Sequence, residues 1–574
     1  MIDWYGLAGI IIFYTFVLAI GVWAGTKQKN NGEEEVMLAG RNVGLFVGTL
    51  TLTATWVGGG YINGTAEALF TTGLAWCQVP LGYSMALIMG AILFVKPMRE
   101  AHYVTMLDPF QAKYGNRIGG LLFLPALCGD VFWIASVLAA LGAALTVILD
   151  IGSFWSVTIS AIFAAAYTVA GGLYSVTYTD VLQLIFIVIG LCLSLPFAVF
   201  NSGKYLKSPN ITIFSPEVDW IGHVDSQDYG LWIESLLLLV FGGIPWQAYF
   251  QRVLSLRSTK SAYHLSVLSA LFCILMAIPA GAFGIIARMV DWKSIPDYGK
   301  DFNTDESNSV LPLVLRELCP NWVAFFGLGA VTAAVMSSAD AGILSSSSMF
   351  TRNIYKLSFR PKASEHELIW VLRISIAVIA TFACVIALTS PSIYYLSVLC
   401  SDIVYVILFP QLLLVVYWEK GANSYGCLAA YFIGLVLRIL GGEPGIGIPQ
   451  IMKYPGYDVA TQTQKFPFKT FAMVMSGLVH VIVSTLAAYV FRNNLLSPDR
   501  WDVLGAFPEL HINRVEKEHN GKELRTKEGI VMPRSNKPIA EAVKGTRYSD
   551  VTIVSTLDQS PPDGSVVAHE FSQF

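Results

Sequence analysis

Charged residues are scarce in this chain. Asp, Glu, Lys and Arg make up 13% of its 574 residues, about half the share usual for a soluble domain, whereas hydrophobic residues make up 54%. A membrane-spanning helix needs roughly 20 predominantly apolar residues, so the chain has enough for a dozen or more spans. The net charge of −3 provides no positive excess for nucleic acid. Together these shortages argue against a soluble enzyme or a nucleic-acid-binding protein.

Motifs of covalent and metal chemistry are also missing. The eight cysteines are scattered, without a CxxC pair or a Cys/His ligand spacing. The three glycines Gly58, Gly59 and Gly60 lack the Lys-Ser/Thr of a phosphate-binding loop, and no nucleophile-base arrangement is evident. The sequence therefore predicts a protein that is not an enzyme and that has no cofactor.

Long apolar runs bounded by charges predict an all-α integral membrane protein. The first run, 7–25, lacks a basic segment before it and is long enough to span, which indicates a transmembrane helix rather than a signal peptide. Thirteen spans are predicted, at 6–26, 44–70, 74–95, 119–148, 154–171, 177–199, 231–251, 265–290, 321–349, 369–390, 394–417, 425–440 and 470–492.

The loop charges predict how the spans are oriented. With the N-terminus outside, the inner loops carry the larger share of Lys and Arg, Arg252 among them, and the outer loops carry fewer, Lys469 among them. An odd number of spans then places the C-terminus inside. The sequon at Asn210 falls in an outer loop under this orientation, where a glycan can be attached.

These spans divide the chain into six regions. We expect a first span with a cytoplasmic loop, two five-span repeats separated by an extracellular loop, two further spans, and a polar cytoplasmic tail that is mostly disordered. The corresponding ranges are 1–43, 44–199 (spans 2–6), 200–230, 231–417 (spans 7–11), 418–492 (spans 12–13) and 493–574.

Two spans contain residues that break a helix beside a tryptophan. Three glycines follow Trp56, and a Gly-Gly-Ile-Pro segment precedes Trp246. At membrane depth, freed backbone groups are tolerated only where they line a cavity or bind an ion, so both breaks indicate a binding site. They lie five spans apart, as expected for inverted five-helix repeats. Glycines that serve close helix packing remain the alternative.

Few ionisable residues lie inside the predicted spans, and such residues mark ion pathways by default. Asp180 is one, and Asp340 follows Ser337 and Ser338 in a run of small residues. Hydroxyls and a carboxylate on nearby helical turns form a hard-oxygen set suited to Na⁺. The alternative is that the serines cap helix carbonyls while Asp340 pairs with a neighbour. Asp130 and Asp402 receive no role from the sequence.

Four segments carry a resemblance to a known family. They are TATWVGGGYINGTAE at 53–67, YVTMLDPF at 103–110, GGIPWQAYFQR at 242–252 and VMSSAD at 335–340. They closely resemble choline-transporting members of the sodium/solute symporter family, whose fold is of the LeuT type, and the resemblance covers about residues 1–495. It implies Na⁺- and Cl⁻-dependent choline uptake across a plasma membrane, for acetylcholine synthesis. It also implies presynaptic terminals and synaptic vesicle membranes as the location, and we expect that the tail binds trafficking proteins.

The family pattern also implies ion ligands. One sodium site resembles the backbone carbonyls of Ala54, Val57 and Ala334 with the hydroxyls of Ser337 and Ser338. A second family site matches Asp180, Ser337 and the pair Asp340-Ala341, where many relatives carry hydroxyl residues. At these positions Asp340 offers a carboxylate and Ala341 offers no side-chain ligand, which leaves the number of ions open.

Choline carries a permanent charge and three methyl groups but no N–H donor, so an aromatic cage is the expected binding site. Trp56 and Trp246 stand at the two helix breaks, and Tyr83 and Trp133 lie near mid-membrane on neighbouring spans. We expect these four rings to bind the substrate. The sequence leaves open a symporter of betaine, proline or a sugar, and a sensor that binds its ligand without transport. A channel is disfavoured, because no ring of pore charges or filter motif is evident.

Overall fold

The computed structural model describes residues 4–25, 37–170, 173–296, 298–302, 304–390, 392–508 and 510, which fold into helices without a β-strand. The α-helices are α1 Trp4–Gly25, α2 Leu45–Trp56, α3 Gly59–Thr71, α4 Val79–Gly90, α5 Lys96–Glu100, α6 Asp108–Leu121, α7 Phe123–Leu149, α8 Ser153–Ala170, α9 Leu173–Ser202, α10 Tyr229–Gly242, α11 Gln247–Ser255, α12 Thr259–Met289, α13 Val310–Leu318, α14 Asn321–Met349, α15 Glu365–Thr389, α16 Ile393–Leu399, α17 Phe409–Tyr417, α18 Ser424–Leu440, α19 Phe468–Arg492 and α20 Pro498–Trp501. π-Helical stretches at Ala91–Val95 and Phe350–Phe359 continue α4 and α14. A third, at Val404–Leu408, leads directly into α17.

Many of these helices have the length and apolarity of membrane spans. In the described part of the chain, eight helical segments meet that criterion, and two bent helix pairs meet it together. Three shorter apolar helices, Leu7–Gly21, Ser153–Ala166 and Ser424–Leu440, fall where further spans are predicted. An all-helical membrane protein is thereby confirmed, whereas the count of thirteen spans and their orientation stay predictions. Residues 511–574 of the predicted tail lie outside the described residues.

The exterior of the helix bundle is apolar and its interior holds polar groups. Large hydrophobic side chains are exposed along several long helices, including Trp155, Phe200, Ile278 and Phe382. Asp180, by contrast, is fully buried. The exposed apolar surface suits a surrounding of lipid tails, and buried ionisable groups are typical of membrane transport sites.

The first predicted helix break is present between α2 and α3. The last backbone bond of α2 runs from the Val57 N–H to the Thr53 carbonyl, and the ladder resumes with the Ile62 N–H and the Gly58 carbonyl. Gly58 is extended, and the two helices are bent by 49°. Carbonyls 54–57 therefore lack the donors that a continuous helix would give them.

The second break lies between α10 and α11, which are bent by 42°. Pro245 has no N–H to donate, and Trp246 is extended immediately before α11 begins. Both interruptions that the glycine and proline pattern predicts are thus confirmed.

Helix α14 provides the surface against which the first broken span packs. The glycines of the break allow this close approach. A Cβ on Gly58 would lie 1.6 Å from Ser338 Oγ of α14, and a Cβ on Gly59 would lie 2.1 Å from Val335 Cγ2. Helix α9 also packs closely on α14, as Gly190 shows: a Cβ there would lie 2.4 Å from Ala330 Cβ. The breaks and the carboxylate of Asp180 are brought together around α14.

Candidate substrate and ion sites

All four aromatic residues expected to bind the substrate line one cavity. Trp133 is central: its ring centroid lies 6.2 Å from that of Trp56 and 5.2 Å from that of Trp246, the latter edge to face. Tyr83 and Gly243 complete the lining. The sequence predicts four of these five residues, and the structure brings all four rings together. Their role in binding stays a prediction.

The elements around the cavity orient the rings by their polar atoms. Trp246 Nε1 donates to the Gly242 carbonyl at 2.7 Å, within the second break. The Tyr83 hydroxyl donates to the Ser397 carbonyl at 2.6 Å, on α16. Because these donors already have partners, the rings offer mainly their π faces and edges to the cavity.

The cavity between the rings is small. Its volume is about 20 Å³, close to the space needed for one water molecule. Trp56 and Trp246 each stand at a junction between two helices, so movement at either break would change the space between the rings.

The first predicted sodium site lies where α14 meets the first break. Ser338 Oγ donates to the Thr55 carbonyl at 2.8 Å, and a Cβ on Gly58 would lie 3.4 Å from the Ala334 carbonyl. The carbonyls of Ala54 and Val57 belong to the interrupted stretch of backbone. Oxygen atoms of α2 and α14 are therefore neighbours here, as a Na⁺ site requires. Their coordination of Na⁺ is untested.

The second predicted sodium site is built around Asp180. Its Oδ1 accepts a 2.7 Å hydrogen bond from Ser337 Oγ, and its Oδ2 accepts from the Thr51 hydroxyl. Arg252 also donates to Oδ2, at 3.2 Å. The expectation that Arg252 is a loop cation is wrong: it lies in α11 and is 1% exposed.

Asp340 is the least satisfied carboxylate of this region. It is buried, and neither of its oxygens accepts a hydrogen bond from another side chain among the described residues. Asp180 and Arg252 are its electrostatic neighbours. A buried carboxylate without such a partner is costly, which favours a cation ligand at this point over the alternative of a paired carboxylate.

Several buried polar contacts escape sequence reasoning. Asp130 lies one turn before Trp133 and accepts a hydrogen bond from Ser346 of α14. Asp402 binds Arg438 Nε at 2.7 Å and Lys469 Nζ at 2.9 Å. The charge pattern suggests that Lys469 is a free loop cation, but it lies in the first turn of α19 and binds Asp402.

Similar proteins are known. "High-affinity choline transporter 1" of Drosophila melanogaster is 54% identical over 502 residues, which cover 87% of this chain and 81% of that protein. "High affinity choline transporter 1" of Homo sapiens is 50% identical over 520 residues, covering 88% and 89%.

Similarity in structure extends to more distant proteins. A substrate-bound, outward-open Na⁺-coupled sialic acid symporter matches with a TM-score of 0.67 at 18% identity, over 85% of this chain and 98% of that one. At this identity the match shows a shared fold. The model of the "Sodium:solute symporter family" matches residues 36–434. The chain is therefore a transporter of the sodium:solute symporter family, not an enzyme.

Proposed function

We propose that the chain takes up choline with high affinity, in a Na⁺- and Cl⁻-dependent manner, by alternating access. The observation that carries this proposal is the meeting of Trp56, Tyr83, Trp133 and Trp246 at the two helix breaks. Relatives at about half identity that are named choline transporters support it.

The ring faces suit a quaternary ammonium ion. Such an ion cannot donate a hydrogen bond from its nitrogen, and aromatic faces give it both contact and charge-quadrupole attraction. Each contact contributes about 0.5 to 2 kcal/mol in a dry site, so three or four contribute roughly 2 to 8 kcal/mol before losses. That range reaches micromolar affinity.

Sodium enters this proposal as the coupled ion. Ala54, Val57, Ala334, Ser337 and Ser338 would hold one Na⁺ through oxygen atoms alone. A second Na⁺ would bind at Asp180, Ser337 and Asp340. When both carboxylates are ionised, they exceed the charge of Arg252 by one negative charge, which a monovalent cation would neutralise.

Coupling would follow from the position of the ion between α2 and α14. Na⁺ would hold the broken span against α14 in an outward-open state and complete the cage, and its release into the cytosol would favour the inward-open state. The helices would form LeuT-type repeats of spans 2–6 and 7–11 within thirteen spans, with the N-terminus outside and the C-terminus inside. Membrane potential would assist uptake, because choline is positively charged.

The setting belongs to the same proposal. The protein would lie in the plasma membrane of cholinergic terminals and in their synaptic vesicles, supplying choline for acetylcholine synthesis. Asn210 is exposed in the loop between α9 and α10, which makes it available for a glycan. The tail would bind trafficking proteins.

The test is uptake of radiolabelled choline into cells that express the chain, with Na⁺ and then Cl⁻ replaced. Uptake should need both ions and should collapse in Trp56→Ala and Trp246→Ala at unchanged surface level. Trp155→Ala is the matched control, because Trp155 is 62% exposed on the lipid-facing surface.

Each other outcome points to a specific error. Surface protein without choline uptake would refute the substrate, and betaine, proline and sugars would be screened next. Choline binding without uptake would identify a sensor. Choline entry that is independent of Na⁺ would refute the ion sites.

A further inference from the structure

An arginine from α12 binds the C-terminal end of half-helix α3. Arg288 Nε donates to the Phe70 carbonyl at 2.7 Å, and Nη2 donates to the Thr71 carbonyl at 3.0 Å. Its remaining nitrogen donates to the carbonyls of Val218 and Asp219 in the loop between α9 and α10. The guanidinium thus joins the end of α3 to α12 and to that loop.

A second arginine does the same for half-helix α11. Arg99 Nη1 donates to the Val253 carbonyl at 2.7 Å and to the Leu254 carbonyl at 3.2 Å. Its Nη2 donates to the Leu256 carbonyl at 2.8 Å. Arg99 belongs to α5, at the end of the span that begins with α4.

The two contacts are equivalent by position in the chain. Arg288 follows Arg99 by about 190 positions, and α11 begins about 190 positions after α3. The distance along the chain between the two arginines is therefore about the same as that between the two half-helices they bind. Trp56 and Trp246 share it. Each half of the molecule thus contributes an arginine that binds the half-helix of the other half.

Such contacts stabilise one position of a half-helix. The last carbonyls of a helix carry partial negative charge, and a guanidinium binds several of them at once in a fixed plane. Arg316 binds the Val147 carbonyl of α7 in a similar way, but α7 is unbroken. Arg41 also reaches the Leu254 carbonyl of α11, at 3.5 Å, but Arg99 and Arg288 each bind two of the last carbonyls of a half-helix that follows a break.

We propose that Arg99 and Arg288 are opposing latches of the transport cycle. Arg288 holds α3 in the position that closes the outer pathway, and Arg99 holds α11 in the position that closes the inner pathway. Each latch opens when its half-helix moves, so loss of one latch shifts the protein toward the state open on that side. The inference rests on the proposed alternating access and orientation, and the two arginines act as positioning residues.

A single reporter can measure both latches. Asn63 lies on α3, is 1% exposed, and neither of its amide atoms has a hydrogen-bond partner among the described residues, so Asn63→Cys removes no such bond. Gly60, one turn earlier, faces Ser136 of α7 and Ser397 of α16, so movement of α3 from these helices would expose this side. The readout is the rate at which an external, membrane-impermeant thiol reagent modifies the new cysteine, relative to the chain without it.

The latches have opposite expected effects on this rate. Arg288→Gln should raise it by about tenfold, because several hydrogen bonds from a charged donor are lost, and Arg99→Gln should lower it several-fold. Arg316→Gln is the control and should leave it unchanged. Lysine variants keep the charge but cannot span the carbonyls, so they should shift the rate in the same directions by less. The labelling rates of the lysine variants are used instead if the glutamine variants do not reach the cell surface.

Shifts of the same sign in both variants, or no shift in either, would overturn the latches. Choline uptake by the same cells reports separately on the proposed function. Na⁺-dependent uptake by the parent chain with equal labelling in all variants would contradict the latches alone. Absent uptake would contradict choline as the substrate, and opposite labelling shifts would still support alternating access with the latches.

Discussion

At the scale of single residues, Tyr83 combines a ring face with a hydroxyl, and the two can be separated. The hydroxyl bonds to the Ser397 carbonyl, whereas the ring lines the cavity. Tyr83→Phe should therefore change the choline KM by less than about threefold, and Tyr83→Leu should raise it by about tenfold, because only the second removes a cation-π face. Uptake kinetics at matched surface levels give both values. Equal effects of the two variants would assign Tyr83 to packing.

Gly58 is a second residue with a sharply defined role. A Cβ there would lie 1.6 Å from Ser338 Oγ, a hydroxyl of the first predicted sodium site, so Gly58→Ala must displace α2 or that serine. We expect it to abolish Na⁺-dependent uptake, measured as initial rates over a range of Na⁺ concentration.

Gly44 supplies the matched control for that variant. It precedes α2 in the same span, and a Cβ there would have no heavy atom within 4 Å. Gly44→Ala should keep Na⁺-dependent uptake. Normal Na⁺ dependence in Gly58→Ala would refute a site at this position.

Residue predictions from the sequence succeed where the signal is local. Trp56 and Trp246 are identified because glycines and a proline beside them break the backbone, whatever the rest of the fold does. Thr51 carries no such signal. Its position depends on which helices pack together, since Thr51 reaches Asp180 only because α2 contacts α9.

At the scale of helices, the pair Asp180–Arg252 connects α9 to half-helix α11. Removing only Arg252 leaves a buried carboxylate without its cation, which costs about 3 to 5 kcal/mol. Arg252→Gln should therefore lower the surface level strongly, and Asp180→Asn/Arg252→Gln should restore it without restoring Na⁺-dependent uptake. Surface biotinylation together with uptake checks this. A double variant with normal Na⁺ dependence would remove Asp180 from the ion site.

Asp340 gives a companion prediction on α14. Its carboxylate accepts no hydrogen bond from another side chain within the described residues, so its expected partner is a cation. Asp340→Asn should raise the Na⁺ concentration for half-maximal uptake by about tenfold while choline still saturates the transporter. An unchanged Na⁺ requirement would exclude Asp340 as a ligand.

Helix boundaries explain what the charge pattern misassigned. Arg252 directly follows one predicted span and Lys469 directly precedes another, so a count of loop charges places both in water. In the fold, each finds a buried carboxylate, Asp180 and Asp402 respectively. The sequence cannot reveal such partners, because they lie far apart along the chain and meet only through tertiary packing.

At the scale of the whole molecule, the repeated offset of about 190 positions relates the two breaks, the two tryptophans and the two arginines. The two breaks could be predicted, because each is a local pattern of glycine or proline beside a tryptophan. The crossing contacts of Arg99 and Arg288 could not, since they join opposite halves of the fold. The proposed substrate, ion and latch sites thus all contact the same two broken spans.

The most direct test of this account uses the purified chain in proteoliposomes with the membrane potential clamped at zero and equal Cl⁻ on both sides. An inward Na⁺ gradient should drive labelled choline to a higher concentration inside than outside, and an ionophore that dissipates the gradient should release it. Accumulation that stops at equal concentrations, with or without the Na⁺ gradient, would contradict Na⁺-coupled choline transport.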